Sequence, residues 1–284
     1  RFSLTTHRGC AGGCTFCSIA LHQGRHIASR SASSLVAEVE RLTEHPAWHG
    51  SLSDVGGPSA NMWGAICTLS FEECRRASCL FPDICQHFQD DQSGLADLLR
   101  EIAALPGVRH VRTASGVRHD LALRSEEYVK ALVQEFTGGQ MKLAPEHLSE
   151  QVLKLMRKPP FRRFESFLDA FQQLSCDAGK EQYVVPYLLS AFPGCTDDDM
   201  RRLASWLIRR GWRPEQVQCF IPTPGTVATA MYYGRVDMEG KPIMVARSDA
   251  QRLRQHRILV GRPSAGPEVS STRRRHQKRT RRRE

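Results

Sequence analysis

The stretch His7-Arg8-Gly9-Cys10-Ala11-Gly12-Gly13-Cys14-Thr15-Phe16-Cys17 (HRGCAGGCTFC) puts three thiols within eight residues, interleaved with three glycines and one aromatic ring. Three thiolates on a flexible loop suit a soft metal centre, either zinc or iron–sulfur. Structural zinc prefers C-x2-C pairs and four protein ligands. Here the spacing is Cys10-x3-Cys14-x2-Cys17 and the next cysteine, Cys67, is fifty residues further on, so a zinc site needs His7, His22 or His26 as its fourth ligand. A cubane held by three thiolates leaves one iron open to an outside ligand, which turns a cluster from a wire into a catalyst. Gly9, Gly12 and Gly13 suit the cubane, because they let the backbone wrap closely and aim N–H groups at the cluster sulfurs.

Outward from this loop, strands and helices alternate. Phe2 to Thr6 reads as a strand leading into the cysteines. Ser31 to His45 carries Leu35, Val36, Val39 and Leu42 on one helical stripe, with serines available as caps. Further strands are predicted at Ser51 to Val55, Val108 to Ala114, Gln140 to Ala144, Gln182 to Ser190 and Val217 to Ile221. Helices are predicted at Gly94 to Leu105, Glu126 to Phe136, Ser149 to Met156, Phe161 to Asp177, and from Thr196 to about Arg210, where three aspartates sit at the positive end. Six such units argue for a parallel barrel or a doubly wound sheet. In either, function gathers at the carboxyl ends of the strands. The unusual residues follow that rule: cysteines after strand one, Gly56-Gly57 after strand two, Ser115-Gly116 after strand three, Pro145-Glu146-His147 after strand four, Pro193-Gly194 after strand five and Pro224-Gly225-Thr226 after strand six.

The cysteine stretch resembles the C-x3-C-x-aromatic-C signature of the radical S-adenosylmethionine (SAM) superfamily, with Phe16 in the aromatic place. HRGCAGGCTFCSIALHQGR, SDVGGPSANMWG, SGVRHDLA, KLAPEH, AGKEQYVVPYLLSAFPG and VQCFIPTPGTVATAMYY together resemble the YgiQ-type family of that superfamily over roughly residues 1 to 235. The resemblance implies an α/β fold, a partial (βα)6 TIM-like barrel over 1–235, and an enzyme whose 4Fe–4S cluster on Cys10, Cys14 and Cys17 binds SAM at its open iron. One electron, delivered by a reductant protein such as flavodoxin or ferredoxin, would then cleave the sulfonium to a 5′-deoxyadenosyl radical. It implies no substrate. For Phe16 it implies packing beside the adenine, against a role as a core aromatic at the barrel mouth. Gly56-Gly57 stands where the superfamily has a Gly-Gly-Glu run that meets the SAM amino group, though Pro58 replaces the acid here. Ser115, Arg118 and Glu146 stand at positions that commonly touch SAM; the alternative for the last two is a buried Glu–Arg pair. His147 reads as a proton donor or a hydrogen-bonded rim residue.

A second group, Cys67-x6-Cys74-x4-Cys79-x5-Cys85, falls in an insertion at 61–90 between the second strand and its helix. Four thiols in nineteen residues suffice for a complete metal site. Spacing alone leaves an auxiliary iron–sulfur cluster, a structural zinc and unligated thiols open. Cys176, Cys195 and Cys219 are scattered and read as small core residues.

The 284 residues carry a net charge of +10, but Ser270 to Glu284 holds eight Lys or Arg against one acid, +7 of that total, which leaves +3 for the rest. The expectation for 262–284 is a disordered basic tail, with RNA binding through it as the alternative. Residues 236–261 read as a C-terminal extension, with a strand at Lys241 to Ala246 and a helix at Arg247 to His256. The longest apolar run, Tyr183 to Cys195, is broken by Pro186 and Pro193, so no membrane role is expected. The first residue is Arg1, which suggests that the numbering starts inside a longer product. Ten cysteines, seven of them in the first third, read as metal ligation in a reducing, cytoplasmic setting. Two other readings stay open: an RNA-modifying methylthio- or methyl-transferase of the same superfamily, and a zinc-stabilised nucleic-acid-binding module.

Overall fold

The computed structural model describes residues 1–70, 72–214 and 217–261. The tail expected at 262–284, and any RNA contact through it, lies outside the described residues. Six parallel strands form the frame: β1 (Phe2–Thr5), β2 (Ser51–Gly56), β3 (His110–Val111), β4 (Gln140–Glu146), β5 (Tyr183–Ser190) and β6 (Val217–Cys219). β1, β2 and β3 pair in sequence order, and so do β4, β5 and β6. A single parallel bridge from Val117 to Leu143 joins the two halves. Order and parallel sense are those of a partial six-unit barrel.

Alternation along the strands sorts the side chains. Leu4 is buried on the helix-facing side of β1, while Ser3 and Thr5 face the opposite way and line a cavity. The outer helices α1 (Ala32–Thr43), α2 (Gln92–Ala103), α3 (Glu126–Ala131), α4 (Phe161–Asp177) and α5 (Asp197–Arg209) cover that buried face. Helix α1 starts where Ser31 Oγ accepts the Ser34 N–H, and buries Leu35 and Val39 with Val36 and Leu42 beside them. In α4, Phe161, Phe164, Phe167, Leu168 and Phe171 recur at helical spacing and all are buried. Burying such a side chain contributes roughly 1.5–3 kcal/mol. Thr196 and Asp199 form a capping box that starts α5.

Several boundaries differ from the sequence reading, each for a local reason. β3 is only His110–Val111, although Val108 to Ala114 was expected. The Val55 N–H still donates to the Arg112 carbonyl at 2.8 Å, but the Ala114 and Ser115 N–H groups turn to the Asp54 carboxylate at 2.7 and 2.9 Å and leave the ladder. After Ala131 the helix widens into a π-turn, Leu132–Phe136. Lys241 to Ala246 makes no strand. Asp237 Oδ1 accepts the Glu239 and Lys241 N–H groups and forms a turn that leaves only a Val236–Pro242 bridge. The last helix, α6 (Asp249–Val260), begins at a Ser248 cap and outruns its expected end. Among the described residues no helix is long and apolar enough to cross a membrane.

Candidate radical SAM site

The cysteine loop is hung between distant parts of the chain. Thr15 donates its N–H to the Met156 carbonyl at 3.1 Å and its Oγ1 to the Leu155 carbonyl at 2.8 Å, both at the end of the Glu150–Met156 helix. Its carbonyl accepts the Ala228 N–H at 2.9 Å, from the helix after β6. On the other side the Cys10 N–H donates to the Gly24 carbonyl at 3.1 Å. Gly13 has φ +60, and a Cβ there would stand 2.4 Å from the Ala77 carbonyl oxygen, so no other residue allows this approach.

Gly12 lies among the thiols. A Cβ on it would stand 3.4 Å from Cys10 Sγ, 3.7 Å from Cys14 Sγ and 3.3 Å from Arg118 Nη1. Arg118 therefore sits inside the thiol cluster, its Nη1 donating to Cys14 Sγ at 3.8 Å. Both Arg118 and Asp120 are buried and joined by two hydrogen bonds, of 2.9 and 2.5 Å. Burial alone would strip the charge from Arg118, but Asp120 and Cys14 outweigh it and hold the guanidinium above its ordinary value. Burial would likewise raise Asp120, and Arg118 overrides that, bringing the carboxyl down to about 2. The thiols respond to the same desolvation: burial, then the charge of Cys14, pushes Cys10 up, and burial pushes Cys17 up. Without a bound cation such thiols hold their protons.

Fully buried Asn61 fixes the backbone that carries Arg118. Its Oδ1 accepts the Arg118 N–H at 2.8 Å and its Nδ2 donates to the Arg118 carbonyl at 3.0 Å. Gln92 Nε2 donates in turn to the Asn61 carbonyl at 3.1 Å.

A cavity of about 330 Å³ opens at the carboxyl ends of β1 and β2, and Gly56, Gly57, Pro58 and Ser115 line it together with His7 and Asp54. A Cβ on Gly57 would stand 2.6 Å from the His7 ring, so Gly57 leaves room for that imidazole. His7 Nε2 is buried with no hydrogen-bond partner, and burial brings the ring down to about 4. Ser115 Oγ donates to Asp54 Oδ2, which ties the end of β3 to β2.

Other expected residues are placed differently. The buried Glu–Arg pair does not form: Glu146 pairs with Lys158 at 3.7 Å, and Arg118 with Asp120. Glu146 has φ +66 where the register of β4 with β5 shifts, and burial raises its carboxyl against the pull of Lys158. That ion pair bears on Cys17. Phe16 is half-buried with its ring edge-on to Phe192, 6.1 Å between centroids. His147 is no rim residue. It is fully buried, accepts the Ser149 N–H at 2.9 Å and lies 3.5 Å from Cys195 Sγ, and burial holds it near 4. Cys195 is core as expected, whereas Cys176 is exposed and Cys219 half-buried. Sequence reading missed Asn61, Asp54, Asp120 and Lys158. Only Asp120, two residues from Arg118, offered a local signal.

The insertion packs directly on the cysteine loop. The Cys79 N–H donates to the Ala11 carbonyl at 3.0 Å and Ser78 Oγ to the Gly12 carbonyl at 2.5 Å. All ten cysteines are free thiols. Among the described residues no three His, Cys, Asp or Glu side chains are gathered for a single metal ion, at either cysteine group.

A partial parallel barrel with three thiols on the loop after its first strand is the arrangement of the radical SAM superfamily. The Radical SAM superfamily model matches residues 4–207, and the chain belongs to that superfamily. Its resemblance to the YgiQ-type family holds over nearly the whole chain. A UPF0313 protein of Geobacter sulfurreducens is 48% identical over 263 residues, 92% of this chain and 44% of that protein. A UPF0313 protein of Pseudomonas aeruginosa is 46% identical over 269 residues, 92% of this chain and 36% of that one. The chain thus spans less than half the length of these relatives. In fold it is similar to the radical SAM methyltransferase TsrM from Kitasatospora setae, solved with cobalamin and a 4Fe–4S cluster bound, at TM-score 0.56 and 17% identity over 89% of this chain and 46% of that one.

Proposed function

We propose that this chain is a radical SAM enzyme whose 4Fe–4S cluster is held by Cys10, Cys14 and Cys17 and binds SAM at its fourth iron. The observation that carries the reading is the space around Gly12, where Cys10, Cys14 and a buried, permanently cationic Arg118 converge and any side chain would fill the room. When bound, the cluster and SAM supply a 5′-deoxyadenosyl radical by one-electron cleavage of the sulfonium, the electron coming from a flavodoxin- or ferredoxin-type donor.

The chain's own residues have separable tasks. Arg118, locked by Asp120 and Asn61, offsets the charge of three thiolates and is a hydrogen-bond donor to Cys14 sulfur. Lys158 partly offsets Glu146 near Cys17. The cavity walled by Gly56, Gly57, Ser115 and Asp54 offers carbonyls and a carboxylate to a positively charged amino group. His7, neutral at physiological pH, adds one unused ring nitrogen at the same wall. Phe16, packed on Phe192, offers an apolar edge for a nucleobase. Thiols of this kind persist in the reduced cytoplasm, where we place the protein.

The test is air-free reconstitution with iron and sulfide, followed by SAM and dithionite. The expected products are 5′-deoxyadenosine and methionine from the native chain and none from Cys14→Ala. Protein that takes up iron and sulfide but never cleaves SAM would refute the reading.

A further inference from the structure

Three of the four thiols of the insertion face a space of their own, and the fourth stands next to it. Cys67, Cys74 and Cys79 line a cavity of about 240 Å³ together with Arg25 and His26. Cys85 completes the group: its N–H donates to the Cys79 carbonyl at 2.7 Å, and it packs against the small apolar cluster that contains Cys79. Arg76 braces the segment that carries Cys79, donating to the carbonyls of Ser78 at 3.0 Å, Phe81 at 3.1 Å and Asp83 at 2.7 Å. Arg25 crosses from the end of the first cysteine loop to donate to the Arg76 carbonyl. One guanidinium group, Arg25, thus stands at the wall of the thiol-lined cavity, and the segment is tied to the first loop through Ala11 and Gly12.

What these thiols would bind follows from the room between them, a cavity of about 240 Å³ where a single ion would need its donors drawn in around it. Zinc takes each thiolate at about 2.3 Å, which brings any two of them within about 4 Å of each other. An iron–sulfur core holds its thiolates at separate iron atoms, further apart, and fills the space between them with iron and sulfide. Thiolates round such a core carry net negative charge, which Arg25 at the cavity wall offsets.

We infer that Cys67, Cys74, Cys79 and Cys85 ligate a second iron–sulfur cluster, separate from the three-cysteine site and closed to outside ligands by its four thiolates. The inference does not depend on the first site being occupied.

The test uses the full chain with Cys10, Cys14 and Cys17 all changed to Ala, reconstituted with ferrous iron and sulfide without air. Bound iron and sulfide in equal amounts, about two or four of each per chain, with visible charge-transfer absorption, is the expected result. Adding Cys74→Ala and Cys79→Ala should abolish it while the far-ultraviolet circular dichroism stays that of the parent. Zinc without sulfide, or no metal at all in a folded triple variant, overturns the proposal. As a check that does not need the triple variant to fold, Cys74→Ala in the otherwise native chain should lower iron content by about a third (a two-iron core) to about half (a four-iron core); unchanged iron overturns the proposal as well. Failure of the first-site reading looks different: the native chain and the triple variant would then hold equal iron.

Discussion

The two cysteine regions are held by opposite means. The loop from Cys10 to Cys17 is suspended from the barrel, by Met156 and Leu155 on one side and Ala228 on another, and it encloses a buried ion pair that no ligand has to complete. Around the second group the only regular pairing among the described residues is Ile66–Cys67 with Phe88–Gln89, and one small cluster of Ala11, Met62, Ala65, Leu80, Phe88 and Leu121 anchors the segment. On the proposed reading the first loop, as the site for open chemistry, is fixed in advance by the fold. A site closed by its own ligands can leave part of its shape to them.

The sharpest way to break this comparison is to attack what the barrel supplies. Asp120→Ala leaves the Arg118 charge buried and unpaired, and should cost about 3–5 kcal/mol in urea unfolding of the metal-free chain. Replacing Arg118 and Asp120 together by apolar residues of similar volume should cost less than Asp120→Ala alone. A single-variant loss under 1 kcal/mol would mean that the pair does not preorganise the first loop.

Acid should find the barrel as well. His147 is held neutral down to about 4 in the folded chain, against an ordinary 6.5. The unfolded chain takes up its proton first, so stability is complete above about pH 6.5 and falls as pH drops from there towards 4. His7 and His119, lowered by burial to about 4 and about 3, act in the same direction, while Glu146, raised by burial, acts in the opposite one. The His147 share is roughly 2–3 kcal/mol. Guanidinium titrations at pH 7.5 and 5 should therefore differ by less in His147→Gln than in the native chain, and equal differences would remove His147 from the account.

The mildest variant probes the seam between the two regions. Gly13→Ala forces a Cβ against the Ala77 carbonyl at a positive φ, and should cost about 1–3 kcal/mol. Limited proteolysis should then cut the 67–85 segment sooner than the barrel helices. Cleavage that begins in the barrel would show that the regions do not separate in this way.

Much of the frame was legible. The stripe Leu35, Val36, Val39 and Leu42 and the Phe series of α4 reported their helices, because period 3.6 is a local property of one face. The cysteine loop was legible for a similar reason, since its three thiols and its glycines lie within eleven residues. β3 was overread because Asp54, sixty residues away from Ala114, takes the N–H groups that a strand would have offered. The partners of Arg118 and Glu146 were misassigned because a carboxylate and a cation attract from any sequence distance, and only packing decides which pair is buried together. Asn61 carried no signal at all: its role is to satisfy the backbone of residue 118 from an insertion.

By itself the sequence determined the superfamily, the number and order of barrel units, and the three thiols of the first loop, all of which rest on spacing along the chain. Only the tertiary structure decided that Arg118 enters the thiol cluster, that Glu146 belongs to Lys158, and that the second cysteine group stands against the back of the first. Arg118 meets Cys14 and Ser78 meets Gly12 across more than sixty positions, and Glu146 meets Lys158 across the helix that separates them; such contacts depend on how the elements are ordered and closed, and no local pattern encodes that.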